Sequence, residues 1–191
     1  MYKGVLTMKQ PISDLTAAYR YLYPRPTVLV SSGTIKEPNA LTIAWSCPLS
    51  VDPPLIGISI AKKRFSHELI NRYKDYVINI PNITQVEGSH YVGSVSGRME
   101  PQKLKQAGFT VEASNKVNAP RIKECLINLE CELQRIIVTG DHDLFIGEVV
   151  DVVIDLSITD EWAIDLKKFQ PIYWRKSKSM EETYSLNLRI K

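Results

Sequence analysis

Two runs near the middle of the first half set the pattern of this chain. In Ala40–Cys47 one parity is large and apolar (Leu41, Ile43, Trp45, Cys47) and the other is small (Ala40, Thr42, Ala44, Ser46). In Leu55–Ala61 the isoleucines 56, 58 and 60 share one parity, while Gly57, Ser59 and Ala61 share the other. Side chains alternate faces along a strand, so each run predicts a strand with one core-filling face and one low face. A pair of low faces leaves room for something flat to lie near the backbone. Tight packing of a helix against the strands uses the same small residues. Pro48 to Pro54 predicts the connection between the two runs.

The remaining elements follow from the same reading. Residues 14–22 predict a short helix, with Ser13 as its N-cap and Pro24 and Pro26 beyond its end. Thr27–Ser31 predicts a strand, and 33–38 a turn. Ser66 opens a predicted helix with Glu68 in its first turn, and Tyr76–Ile80 a strand closed by Pro81. Gln85–Ser96 reads as helix or irregular segment, and Glu100–Ala107 as a short helix stopped by Gly108. Residues 109–126 hold a weak strand and a proline-containing loop. Ile127–Thr139 alternates Ile127, Leu129, Cys131 and Leu133 against Asn128, Glu130, Glu132 and Gln134, which predicts a half-buried strand. The turn Gly140–Asp143 and the run Leu144–Leu156 make it a hairpin. Glu161–Phe169 predicts a short helix and Pro171–Arg175 a last strand. Many short strands without a βαβ rhythm predict a mainly β (α+β) chain, an antiparallel split β-barrel with peripheral helices. One domain over 1–191 is expected, with a helical lead-in (1–23) and a C-terminal arm (176–191).

Composition narrows the function classes. The 191 residues are 44% hydrophobic and 24% charged, as in ordinary globular proteins, and the net charge of +3 is spread along the chain. No basic stripe points to nucleic acid, and no apolar run approaches a membrane span. The N-terminus lacks a signal-peptide pattern. Cys47, Cys125 and Cys131 form no C-x-x-C; Cys47 and Cys131 share the parity of core residues and read as small hydrophobes. A cytoplasmic protein is therefore expected. The three histidines lack metal-ligand spacing, and no nucleophile elbow, P-loop or dinucleotide glycine motif occurs. Lys62-Lys63-Arg64 before Ser66 is the best anion site, since cations precede a helix start; taken alone, a solvated turn with Ser66 as an ordinary N-cap accounts for it slightly better. Ser96-Gly97-Arg98 is a second oxyanion candidate. Asn79, polar within an apolar strand, requires a hydrogen-bond partner from backbone or ligand.

Taken in order, these elements form a long pattern. It runs from Asn39-Ala40-Leu41-Thr42-Ile43-Ala44-Trp45 through Asp52-Pro53-Pro54 and Lys62 to Ser66. It continues with Asn79-Ile80-Pro81, then Ser96-Gly97-Arg98, and ends in Gly140-Asp141-His142 through Val149. The chain resembles the flavin reductase-like proteins of the FMN-binding split-barrel fold, flavoredoxins among them, over about residues 24–175. Many members carry a cysteine shortly before S-G-R, where this chain has Tyr91-Val92-Gly93. The resemblance implies a homodimer binding FMN. Asn39, Ala40, Leu41, Thr42, Ala44, Trp45 and Ser46 would line the ring, with Ala61 beside them. Lys62, Arg64 and Ser66 would hold the phosphate, and Asn79, Ser96, Gly97 and Arg98 would complete the pocket. It implies His142 near the ring as the candidate catalytic side chain, and NADH or NADPH as co-substrate. Three classes follow: an NAD(P)H-dependent flavin or ferric reductase, a flavoredoxin-type electron carrier without nicotinamide turnover, and a non-enzymatic flavin- or haem-binding module. The partner implied is a flavin or another electron acceptor, not a membrane or nucleic acid.

Overall fold

A computed structural model describes residues 10–160, 163–176 and 181–184. Residues 10–24 form the lead-in, with a 3-10 helix at Leu15–Leu22 capped by Asp14, whose carboxylate accepts from the Thr16 amide; the cap is Asp14 and not Ser13. The elements that follow are β1 (Arg25–Pro26), β2 (Val28–Gly33), β3 (Pro38–Ile43), β4 (Ser46–Ser50), β5 (Leu55–Ala61), α1 (Phe65–Tyr73) and β6 (Asp75–Ile80). Next come α2 (Val86–Ser94), α3 (Lys103–Gln106), β7 (Val111–Glu112), β8 (Arg121–Ile122), β9 (Ile127–Val138), β10 (His142–Ile154), β11 (Tyr173–Lys176) and β12 (Glu181–Tyr184).

Seven strands form one antiparallel sheet in the order β3-β2-β6-β9-β10-β5-β4. Its two wings converge on one core: Leu41 and Ile43 of β3 join Ile58 and Ile60 of β5, with Tyr76 and Phe145 between them. The sheet therefore curls, as alternating apolar faces require. It is not closed into a barrel, because no ladder joins its end strands β3 and β4 among the described residues.

The run Ala40–Cys47 is not one strand. It breaks at Ala44–Trp45, and its halves become the opposite ends of the sheet. β4 then hairpins onto β5, Ser46 opposite Ile58. With the break, Cys47 leaves the core and is exposed, whereas Cys125 and Cys131 are buried. β9 begins buried on both faces: Asn128 bonds to Asn79 and to the Ile122 carbonyl of β8, and Glu130 bonds to the loop after β7. That loop supplies the partners such burial demands: the amides of Asn115 and Lys116 donate to the Glu130 carboxylate at 2.7–3.0 Å. Residues 163–169 form turns and no helix, and Glu161 and Trp162 lie outside the described residues.

A second core seals the outer side of β2 and β3. Ala40 and Leu29 pack there with Val92 of α2, Leu104 of α3 and Phe109. α2 comes close enough that a Cβ on Gly93 would sit 2.9 Å from the Thr42 Cβ. No described helix is long and apolar enough to cross a membrane.

Candidate functional site

A cavity of about 960 Å³ opens where β3 ends, β5 ends and α2 passes. This lies near the top of the range for small-molecule sites, roughly 300–1,000 Å³. Its floor is built from short side chains: Thr42 from the end of β3, Ala44 just beyond it, and Ser59 and Ala61 from β5. The low face of β5 thus opens onto space, as its parity allows.

One end of the cavity is cationic. Lys62, Lys63 and Arg64 line it in the turn that leads into α1. The Arg64 amide donates to the Ala61 carbonyl at 2.9 Å, so the turn is tight. Arg64 is the N-cap of α1 and caps it with no side-chain bond, which leaves amide donors near the cations. Behind the turn, the Asp143 carboxylate accepts from His67 Nε2 at 2.8 Å and lies 3.6 Å from Lys62 Nζ. The His67 bond, aided by Lys62, holds the Asp143 carboxyl below its ordinary range.

The other end is aromatic. Trp45 donates its ring N–H to the Tyr23 hydroxyl at 3.1 Å, and Tyr19 meets it edge-on with centroids 5.5 Å apart. The His142 ring lies 4.8 Å from the Trp45 ring at a 35° tilt, and its Nδ1 is 2.7 Å from Asp141 Oδ1. That contact is the first cause of the lowered Asp141 pKa.

Two buried hydroxyls in this wall have no hydrogen-bond partner: Thr27 Oγ1, just before β2, and Ser89 Oγ, on α2. Each residue is 2% exposed. The Ser89 carbonyl, by contrast, is used; it accepts from Thr42 Oγ1 at 2.5 Å.

The sequence-predicted site divides accordingly. Leu41, Thr42, Ala44 and Trp45 line the cavity, as do Ala61, Lys62, Arg64 and His142. Asn39 and Ser66 lie behind it, buried and bonded to each other at 2.7 Å. Ala40 faces the second core, and Ser46 belongs to the β4–β5 ladder. Asn79 is outside the cavity. Its amide donates to the Leu29 carbonyl and Ser31 Oγ, and its oxygen accepts from the Ile122 amide and Asn128, so its polar capacity is used within the chain. The Ser96–Arg98 turn is also outside: Gly97 packs against Asn39, while Arg98 lies over Phe65 and pairs with Glu68. Sequence reasoning placed Ser59 on a low face and passed over Tyr19, Tyr23, Thr27 and Ser89. The spacing of Tyr19 and Tyr23, four apart on the lead-in, was the one available signal for an aromatic wall.

The fold is an open, curled antiparallel sheet with a cavity that is cationic at one end and aromatic at the other. The family described as "Flavin reductase like domain" matches residues 19–180, and the chain belongs to that family. An uncharacterized protein of Pyrococcus abyssi is 42% identical over 132 residues, 69% of this chain and 75% of that protein. The flavoredoxin of Desulfovibrio vulgaris (Miyazaki F) superposes with a TM-score of 0.80 at 29% identity, covering 94% of this chain and 93% of that one. The FMN-binding protein of Thermus thermophilus, solved with p-hydroxybenzaldehyde, superposes with a TM-score of 0.74 at 26% identity, covering 95% and 99%. The function is flavin-related redox chemistry.

Proposed function

We propose that the cavity binds FMN and that the protein, as a cytoplasmic homodimer, is an NAD(P)H-dependent flavin or ferric reductase. The observation that carries this is the continuity of a small-residue floor with a turn bearing three cations at a helix start. The chemistry of this donor set fits FMN: Lys62 and Arg64, with Lys63, match a phosphate, while Ala44, Ser59 and Ala61 allow a ring to lie near the backbone. Bound FMN would supply the hydride-accepting and electron-passing chemistry. The chain's own residues bind and orient. Trp45 and His142 stack at the mouth, where a co-substrate would arrive, and Asp141 fixes the imidazole's orientation through Nδ1. Asn39 and Ser66 support the turn from behind rather than touching ligand.

Similarity to a flavoredoxin supports the carrier role as a second reading. Anaerobic reduction with NADH and NADPH in parallel separates the two: bleaching of bound FMN supports the reductase, and tight FMN without bleaching supports the carrier. Titration tests the site itself. Lys62→Ala with Arg64→Ala is expected to weaken FMN by roughly 10–100-fold, the range of one lost charge-assisted hydrogen bond, and to leave riboflavin nearly unchanged. Equal loss for both ligands would remove these residues from the phosphate site.

A further inference from the structure

Aspartates on a core face are rare, because an ionised carboxylate there loses its water and needs partners. Asp143 is 6% exposed. It shares a face of β10 with Phe145, two residues on, which is fully buried in the main core. Its two oxygens are used unequally. Oδ2 accepts from His67 Nε2 at 2.8 Å, and the His67 ring meets Phe145 edge-on with centroids 4.9 Å apart. Oδ1 has no hydrogen bond among the described residues. Its charged neighbour is Lys62 Nζ at 3.6 Å, beyond the roughly 2.7–3.2 Å of a hydrogen bond. A structural ion pair would seat the ammonium. Here the lysine is attracted but not seated; its side chain is 48% exposed, and the residue lines the cavity. It can turn to a ligand without breaking a hydrogen bond to Asp143.

We propose that Asp143 is the resident counter-ion of Lys62: it competes with a ligand's phosphate for that ammonium, while His67 holds the carboxylate in place. The inference rests on the FMN reading above and deepens it, from the groups that hold the phosphate to the group that opposes it. Asp143 is not on the cavity wall, so it acts on a ligand through Lys62. Without ligand, the carboxylate offsets one of the three cations crowded into the turn, Lys62, Lys63 and Arg64. With a phosphate present, the ammonium is shared between two anions, and the share that Asp143 keeps is affinity lost. His67 acts on the same balance from the other side. The bond it gives the carboxylate lowers the demand that Asp143 makes on Lys62. The pair thus sets how strong an anion a ligand must carry to be held at this end of the cavity.

The test uses the full chain stripped of ligand, titrated with FMN and with riboflavin, which lacks the phosphate. The ratio of the two dissociation constants isolates the phosphate end from the fold and from the ring. Asp143→Asn keeps the size and an acceptor for His67 and removes the charge. It is expected to tighten FMN relative to riboflavin by roughly 2–5-fold, within the span of a part-exposed ion pair. His67→Leu tests the same balance without altering Asp143. It removes the carboxylate's other partner and is expected to move the ratio the opposite way, since Asp143 then leans on Lys62 alone. In a Lys62→Met background both substitutions are expected to lose most of their effect. A merely structural aspartate moves no ratio: its loss weakens both flavins alike. The inference is overturned if Asp143→Asn leaves the ratio unchanged or weakens FMN relative to riboflavin. It is also overturned if the full effect survives Lys62→Met, which would mean a field acting on the whole turn and not a competition for one ammonium. A wild-type protein that binds neither flavin sinks the FMN reading and this inference with it. Wild-type binding of both flavins, with the ratio unmoved in the variants, sinks this inference alone.

Discussion

β3 and β5 have nearly the same pattern, yet the structure covers their small faces to different extents. Both strands send their large parity to one core, where Leu41 and Ile43 meet Ile58 and Ile60. On β3 the small face is covered along the strand and reaches the cavity only at its end, at Thr42. Ala40 is fully buried against α2 and α3, and Thr42 is bonded to the Ser89 carbonyl. On β5 the small face is shared. Gly57 lies under Leu49 and Leu144, while Ser59 and Ala61 look into the cavity. Periodicity thus fixes which residues face away from the core. What stands over them is decided by topology, and topology decides whether smallness means packing or space.

The largest effect should come from filling the open face. Ser59→Phe places a ring on the cavity floor without touching the core behind β5. Flavin affinity is expected to fall about 100-fold or more, roughly 2.7 kcal/mol, while ligand-free stability stays within about 0.5 kcal/mol, as for substitutions outside packed cores. A loss of stability comparable to the loss of affinity would show that β5's small face is packing surface after all, and the contrast with β3 would fail.

The mirror experiment is Gly93→Val on the helix that covers β3. A Cβ there meets the Thr42 Cβ at 2.9 Å, and neither atom is the end of a flexible chain. Overpacking of this kind costs about 1–3 kcal/mol. Denaturant unfolding should register that loss. Gly93 also borders the cavity, so flavin affinity is expected to fall secondarily. Unchanged stability would mean that α2 rides loosely on β3.

These contrasts mark how far the sequence could be read. Alternation was enough to place Ile56, Ile58 and Ile60 on one side, and the 127–156 hairpin was legible from its turn and its two long runs. The break at Ala44–Trp45 was not. Parity continues unbroken through it, and only the separation of β3 and β4 to opposite ends of the sheet reveals it. Cys47 was misread for the same reason. Asn128 and Glu130 looked solvent-facing because alternation reports a strand's two sides, not β8 and the loop before it that bond to one of them. In the site, the cations and Trp45 announced themselves by motif. Tyr19, Thr27 and Ser89 come from three separate parts of the chain and meet only through long-range packing, which no local pattern encodes.

What clamps α2 over β3 is expected to depend on pH. Lys103 is 3% exposed, and its ammonium donates to the Val92 and Val95 carbonyls at 3.0 and 2.9 Å, at the C-terminal end of α2. Positive charge suits that end of a helix. Burial nonetheless lowers the amine to about 8, with the Arg64 guanidinium adding to the effect. An unfolded lysine titrates near 10.5. Between about 8 and 10.5 the unfolded chain therefore binds more protons than the folded one, and stability rises with pH across that window. Below about 8 both states are protonated and this contribution is flat. Melting temperatures of wild type and Lys103→Met, compared at steps through this window, isolate the group: their difference should shift in favour of wild type as pH rises. A constant difference would mean that the two carbonyl bonds hold the charged form as firmly as burial opposes it, making the clamp on α2 indifferent to pH.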